Sequence, residues 1–412
     1  MKYGCIGEHL KHSFSKEIHN LLADYDYEIL EIEKECLEKF AKEKNFNAIN
    51  VTIPYKELIM PYIYLIDEYA KKIGSVNTVV NRGGKLYGYN TDFFGMCKLI
   101  EHAGIEIRDK KVVILGTGGT SKTACAVSAH LGAKEIIITS RKKSETSIDY
   151  TELYEKHTDA EIIINTTPVG MFPSIFDSPV DVSKFDKLSG VIDAIYNPLC
   201  TELILSAKER GISAEGGLYM LVAQAVRASE IFIDTKYDTE TTDKVYKKIL
   251  SDKENIVLIG MPASGKTTVG KILAQKLGRK FIDTDALIEE KAKKSIPEIF
   301  KTEGESRFRD LEAEVIKEAS SLTCSVIATG GGSVLRNENV FNLKKNGKLY
   351  FIDRPLGALI PTSDRPLGST KEAIEKRYIE RYDIYMKSAN VRIDADTEAN
   401  EVSEKILGDF LK

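Results

Sequence analysis

Residues 260–268 read Gly-Met-Pro-Ala-Ser-Gly-Lys-Thr-Thr, a complete G-x-x-x-x-G-K-[ST] pattern. The apolar run Asn255-Ile-Val-Leu-Ile259 before it predicts a buried strand, and the apolar spacing from Thr267 onward predicts a helix. Strand, loop and helix in that order give the pattern a mechanism. Backbone N–H groups of Ala263, Ser264, Gly265 and Thr268, at the mouth of a helix, are placed to wrap phosphates. Lys266 is expected to reach the β- and γ-phosphates and the Thr267 hydroxyl to ligate Mg²⁺. The stretch predicts an ATP or GTP site in an α/β unit of residues 255–412. Because it starts so far along the chain, something else must occupy the long segment before it.

Composition bounds what that can be. A chain of 412 residues exceeds one ordinary domain. Its 42% hydrophobic content is enough for real cores, and a net charge of −4 argues against a nucleic-acid surface. No apolar stretch reaches the length of a membrane span. The start, MKYGCIGEHLKHS, has no apolar core of a signal peptide, so a cytoplasmic location is expected. Cys5, Cys36, Cys97, Cys125, Cys200 and Cys324 form no C-x-x-C pair and read as small buried residues in a reducing compartment. His9 and His12 alone have a ligand-like spacing, without a Cys or carboxylate cluster, so no structural zinc is expected.

From Lys110 to about Ala214, strands and helices alternate: KKVVILG, TSKTACAVSAHLG, KEIIITS, AEIIINTTP, SGVIDAIY. That rhythm predicts a parallel sheet wound with helices on both faces. Val112–Leu115 runs into Gly116-Thr-Gly118-Gly119-Thr120-Ser121, which puts bare backbone against a pyrophosphate at a helix start. The next strand, Glu135–Thr139, ends in Ser140-Arg141-Lys142-Lys143 rather than in an acidic residue. Basic groups there accommodate the 2′-phosphate of NADP, with Arg141 the discriminating residue. A Rossmann lobe binding NADP is predicted for residues 106–217.

Seven further segments occur in order: His12-Ser13-Phe14-Ser15, Asn50-Val-Thr52-Ile-Pro54-Tyr-Lys56, Gly74-Ser-Val-Asn77-Thr78, Asn90-Thr91-Asp92, Asn165-Thr-Thr-Pro168-x-Gly170-Met171, Asp193-Ala-Ile-Tyr196-Asn-Pro198 and Met220-Leu-Val-Ala-Gln224. Together they resemble shikimate dehydrogenases. The resemblance implies a substrate lobe over residues 1–105, helices at 218–250 returning to it, and a cofactor contact at Gly217. Residues 251–254, Ser-Asp-Lys-Glu, read as a polar linker. Lys56 and Asp92 are a suitable charged pair for proton transfer to a nascent alkoxide, and the sequence leaves open which is the donor. Ser13, Ser15, Thr52, Asn77, Tyr196 and Gln224 offer hydroxyl and amide groups for a carboxylate and ring hydroxyls.

The last block carries Phe281-Ile-Asp283-Thr-Asp285, Arg307-Phe-Arg309-Asp-Leu-Glu312, Thr329-Gly330-Gly331-Gly332-Ser333, Asp364-Arg365-Pro366-Leu367 and Arg381-Tyr-Asp-Ile-Tyr385. It resembles shikimate kinase, a P-loop α/β fold of the nucleoside-monophosphate-kinase kind. The resemblance assigns Asp285, Arg309, Gly331 and Arg381 to the acceptor, Asp283 to the metal region and Arg365 to a lid. Arginines suit a carboxylate because they bind it bidentately.

The two resemblances imply consecutive reactions. The first reduces 3-dehydroshikimate with NADPH, and the second phosphorylates shikimate with Mg·ATP, in aromatic amino-acid synthesis. Two rivals stand beside this: a quinate-type dehydrogenase joined to another small-molecule kinase, and a fusion in which one half only senses its ligand. Small-molecule partners are expected, with no nucleic acid and no membrane; oligomeric state is not legible.

Overall fold

The computed structural model describes residues 2–8, 10, 14–359 and 370–412. Ser13 and Arg365 lie outside them. The chain divides into two compact units, Met1–Ile249 and Leu250–Lys412.

The first unit has two lobes. Strands β1 (Tyr3–Gly7), β2 (Tyr27–Glu31), β3 (Ala48–Val51), β4 (Leu65–Ile66), β5 (Thr78–Arg82) and β6 (Lys85–Tyr89) form a sheet of order β2-β1-β3-β5-β6-β4. It is mixed: β1 pairs in parallel with β2 and β3, whereas β5 is antiparallel to both β3 and β6. Strands β7 (Lys111–Leu115), β8 (Glu135–Thr139), β9 (Ile162–Asn165), β10 (Gly190–Asp193) and β11 (Ser213–Glu215) form the second sheet, order β11-β10-β9-β7-β8. All its pairings are parallel. Its strand order reverses between β7 and β9, the position at which open α/β sheets receive ligands.

Residue alternation explains why β7 is apolar throughout. Val112 and Ile114 enter one core, and Val113 and Leu115 enter the other. A strand covered on both faces reads as a continuous apolar run. The helix Leu218–Ile233 packs on the helix Thr91–His102, and a Cβ at Gly95 would lie 2.7 Å from Met220 O, so only glycine permits this approach. Further along, Ala228 and Phe232 join Cys5, Leu10 and Tyr27 in a core of the first lobe.

In the second unit β12 (Asn255–Ile259), β13 (Lys280–Asp283), β14 (Ser325–Ala328), β15 (Gly347–Asp353) and β16 (Val391–Asp394) form an all-parallel sheet of order β13-β14-β12-β15-β16. Here β12 repeats the logic of β7: Ile256 and Leu258 face one core, Val257 and Ile259 the other.

Two expectations need correction. Residues 251–254 are not an irregular linker, because the helix Thr241–Lys253 runs through the first three of them. Ser251, Asp252 and Lys253 are half-buried on the last turn of that helix, and Lys is a good helix former. Of the six cysteines, Cys5 alone is buried, while Cys36 and Cys324 are exposed. Among the described residues, no helix is long and apolar enough to cross a membrane.

Candidate functional site

A cleft of about 1040 Å³ lies between the two lobes of the first unit. One side is polar and preorganised. Lys56 stands on the short helix Tyr55–Leu58, and Asp92 in the first turn of the helix Thr91–His102, whose N-cap Asn90 accepts a bond from Phe93 N. Lys56 Nζ donates to Asp92 Oδ2 at 2.5 Å, with the side chains only 17% and 12% exposed. A pair held this far from water keeps more of its charge-assisted strength than a surface pair.

Beside it, Asn77 Oδ1 accepts from Thr91 N at 2.7 Å and Asn77 Nδ2 donates to Thr91 Oγ1 at 3.1 Å. Thr91 Oγ1 in turn reaches Gln224 Oε1 at 3.2 Å. The helix that returns to the first lobe therefore brings Gln224 to Asn77 through one hydroxyl. Sequence reasoning quoted Thr91 but gave it no role. It likewise quoted without a role Asn50, which lines the cleft, accepts from Tyr27 OH at 2.7 Å and donates to Thr78 Oγ1 at 3.2 Å. Tyr27 is remote in sequence and carries no motif, so nothing local signalled the bond. Ser15, Thr52 and Tyr196 also line the cleft. Burial raises the Tyr196 phenol above its ordinary range, and its ring tilts against Phe14 at a centroid distance of 5.2 Å.

The opposite side is bare backbone. Gly116 follows β7 with φ +108°, and a Cβ there would lie 2.7 Å from Thr166 Oγ1. Gly118 caps the helix Gly119–His130 with no side-chain cap bond, and helix N-termini as a class favour anions. Gly116, Gly118, Thr120, Ser140, Arg141 and Gly217 line the cleft. At Gly217 any side chain would collide with the Ala194 carbonyl.

Gly119, Ser121 and Lys142 are not brought to the cleft. Ser121 is buried. The turn after β8 folds on itself, with Ser140 Oγ donating to Lys142 O at 2.5 Å, and Lys142 itself is exposed. Lys143 is engaged by Glu152 at 2.6 Å. Of the basic run, Arg141 alone faces the cleft. Behind the cleft, buried Asp193 accepts from Asn165 Nδ2, Ile195 N and Thr201 Oγ1 at 3.0, 3.0 and 2.7 Å. Burial nevertheless pushes its carboxyl up to about 7.

In the second unit the 260–268 loop joins β12 to the helix Lys266–Leu277. Lys266 Nζ donates to Gly260 O at 2.9 Å and Met261 O at 2.8 Å, inside the loop. Gly265 takes φ +93° and Ala263 φ +64° in turning the chain. Thr267 Oγ1 donates to Asp283 Oδ2 at 2.8 Å, a pair of hard oxygen donors that suits Mg²⁺. Asp283 Oδ1 accepts from Asp285 N at 3.1 Å, capping the helix that carries Asp285.

The run Gly330–Gly332 after β14 gathers the remaining groups. A Cβ on Gly330 would sit 2.6 Å from Asp285 Oδ1, and one on Gly331 2.6 Å from Pro262 Cδ of the phosphate loop. A Cβ on Gly332 would strike the Arg309 guanidinium. Arg381 Nη1 donates to Gly331 O at 3.1 Å, and Tyr385 OH donates to the same oxygen. Arg309 is held by Glu312 at 2.8 Å and Glu305 at 3.1 Å. Glu312, fully buried and outside the expected set, also accepts from Ser333 Oγ at 3.0 Å.

The fold and the two sites define a nucleotide-binding α/β protein twice over: a dinucleotide-type cleft in one unit and a phosphate-loop kinase site in the other. Residues 5–79 match the family model for the shikimate dehydrogenase substrate binding domain, and residues 262–410 the model for shikimate kinase. The shikimate dehydrogenase (NADP(+)) of Clostridium beijerinckii is 39% identical over 259 residues, covering 59% of this chain and 96% of that protein. Among solved structures, shikimate dehydrogenase 1 of Peptoclostridium difficile shares 40% identity with a TM-score of 0.56, over 60% of this chain and 98% of that one. A chorismate mutase/shikimate 5-dehydrogenase fusion protein from Clostridium acetobutylicum shares 36% identity with a TM-score of 0.57, over 60% and 96%. The chain belongs to the shikimate dehydrogenase family, and its second unit carries a shikimate kinase domain.

Proposed function

We propose that this chain is bifunctional: it reduces 3-dehydroshikimate to shikimate with NADPH, then phosphorylates shikimate on a ring hydroxyl with Mg·ATP. The observation that carries the first half is one cleft lined on one side by the Lys56–Asp92 pair and on the other by the Gly116–Gly118 turn. Arg141 on the same cleft fits the 2′-phosphate of NADPH, which supplies a hydride when bound.

Asn77, Gln224, Ser15 and Thr52 bind the ring substituents. The Lys56 ammonium is the partner that holds protons, so it delivers one to the oxygen that gains charge, while Asp92 fixes its direction.

The second half rests on the convergence of Asp285, Arg309 and Arg381 on the glycine run beside the phosphate loop. Arg309 and Arg381 hold the acceptor carboxylate, and Asp285 orients the attacking hydroxyl. Lys266 neutralises the transferring phosphoryl group, and Thr267 with Asp283 would hold the metal.

The test is a coupled assay on the purified chain. Given dehydroshikimate, NADPH and ATP, it should form shikimate 3-phosphate by mass spectrometry. Lys56→Ala and Asp92→Asn should each lower dehydrogenase turnover by about two to four orders of magnitude. Retained turnover with a raised KM alone would reduce the pair to binding groups.

A further inference from the structure

Arg354 is the first residue after β15, which pairs in parallel with β12 so that Phe351 lies opposite Ile259. It therefore leaves the sheet at the carboxyl edge, beside the phosphate loop, where ligands of parallel α/β sheets bind. Two loop glycines record how close this strand runs. A Cβ on Gly260 would lie 2.8 Å from Ile352 O, and the atom nearest a Cβ on Gly265 would be Arg354 Nη1, at 3.9 Å. Arg354 is half-buried, and its Nε donates to Ala358 O at 3.3 Å.

Among the described residues its charge is not matched. The adjacent carboxylate, Asp353, is committed to Arg392 at 2.7 Å and to Tyr382 OH at 3.0 Å. Among the described residues, Arg354 pairs with no carboxylate. The arginines of the acceptor side differ: Arg309 is held by Glu305 and Glu312. A partly desolvated guanidinium with no carboxylate partner among the described residues, next to a loop built for phosphates, wants an anion, and a guanidinium binds phosphate oxygens in pairs.

We infer that Arg354 contacts the polyphosphate of the nucleoside triphosphate held by this loop, as a second cation opposite Lys266. Lys266 grips the loop through the Gly260 and Met261 carbonyls, and Arg354 comes near it at Gly265. This assignment rests on reading the unit as an ATP-dependent kinase. The competing role is structural, a tether for the turn Pro355–Leu359 through Ala358 O, and it predicts no dependence on phosphate number.

Equilibrium binding of adenosine, AMP, ADP and Mg·ATP to the full chain separates these, using wild type, Arg354→Ala, Arg354→Lys and Lys266→Ala. Arg354→Ala should weaken ADP and ATP about tenfold or more, the loss expected for a charge-assisted bond. Adenosine affinity, the KM for shikimate and the unfolding temperature should stay at wild-type values, and Arg354→Lys should recover part of the ATP affinity. Equal weakening of adenosine and ATP, or no weakening of either, overturns the assignment. If wild type binds ATP no better than Lys266→Ala does, the kinase reading fails first and takes the inference with it.

Discussion

Arg141 and Asp193 show how much a single side chain can decide. Arg141 faces the cleft while its basic neighbours turn away, so discrimination between the two nicotinamide cofactors should rest on it alone. Arg141→Ala should cost NADPH roughly 1.5–3 kcal/mol of binding and leave NADH nearly unchanged; the ratio of kcat/KM for the two cofactors reads this directly. Asp193 contributes to the pH dependence of stability. Its carboxyl, raised to about 7 by burial, holds its proton in the native state where the unfolded chain has lost it. The folded state then binds more protons between pH about 4 and 7, so this residue's contribution to stability falls as pH rises through that window. Asn fits the site, since its oxygen can accept from Asn165 and Ile195 N while its amide donates to Thr201. The unfolding temperature of Asp193→Asn minus that of wild type should therefore grow from pH 4 to 7 and level off above; a flat difference would mean that the three donors keep Asp193 ionised. His19 pulls the other way. Burial lowers it to about 3, and its stabilising contribution is lost as pH falls below about 6.5, so the difference between variant and wild type is needed to isolate Asp193. Motifs exposed Lys56, Asp92 and Lys266 because their chemistry requires one residue type at one spacing. They did not expose Arg354, and they contained Asn50 without giving it a role, because what these two do comes from neighbours that the fold supplies.

Among the elements, the glycine run 330–332 has the most dependents. Each of its three positions leaves room for a different group: Asp285, the phosphate loop at Pro262, and Arg309. Gly332→Ala should displace the Arg309 guanidinium and raise the KM for shikimate about tenfold or more, with the KM for ATP unchanged, in initial-rate measurements on both substrates. A matched rise in both would show that the run moves as a block. A second element-level contact crosses the cleft: Lys122, in the first turns of the helix Gly119–His130, meets Glu57, the neighbour of Lys56, at 2.7 Å. Both side chains are substantially exposed, and such a pair contributes about 0–1 kcal/mol, so it guides the lobes rather than locks them. Apolar runs revealed β7, β9, β10 and β12 because strands buried on both faces cannot hide their composition, and the half-buried edge strand β8 showed through its three isoleucines. The helical state of Ser251–Lys253 was not legible, since polar residues suit a hinge and a half-buried helix end alike.

For the molecule as a whole, the two units have separate sheets and separate cores. Lys266→Ala should therefore abolish phosphorylation and leave NADPH oxidation within about twofold, because sites in separate cores without shared partners behave additively. Assaying both activities on one preparation checks this, and equal loss of both would contradict it. Whole-chain order was legible wherever a nucleotide loop fixed a strand–turn–helix, and illegible in β11, a strand of three residues with too little sequence to carry a period. That both units lie on one polypeptide has a consequence for supply. Every translation event yields one copy of each, so their ratio is fixed against changes in promoter strength, messenger lifetime or ribosome loading. Under the proposed function, adjusting flux through one step relative to the other then requires altered turnover numbers, and selection for balance falls on kinetics rather than on expression.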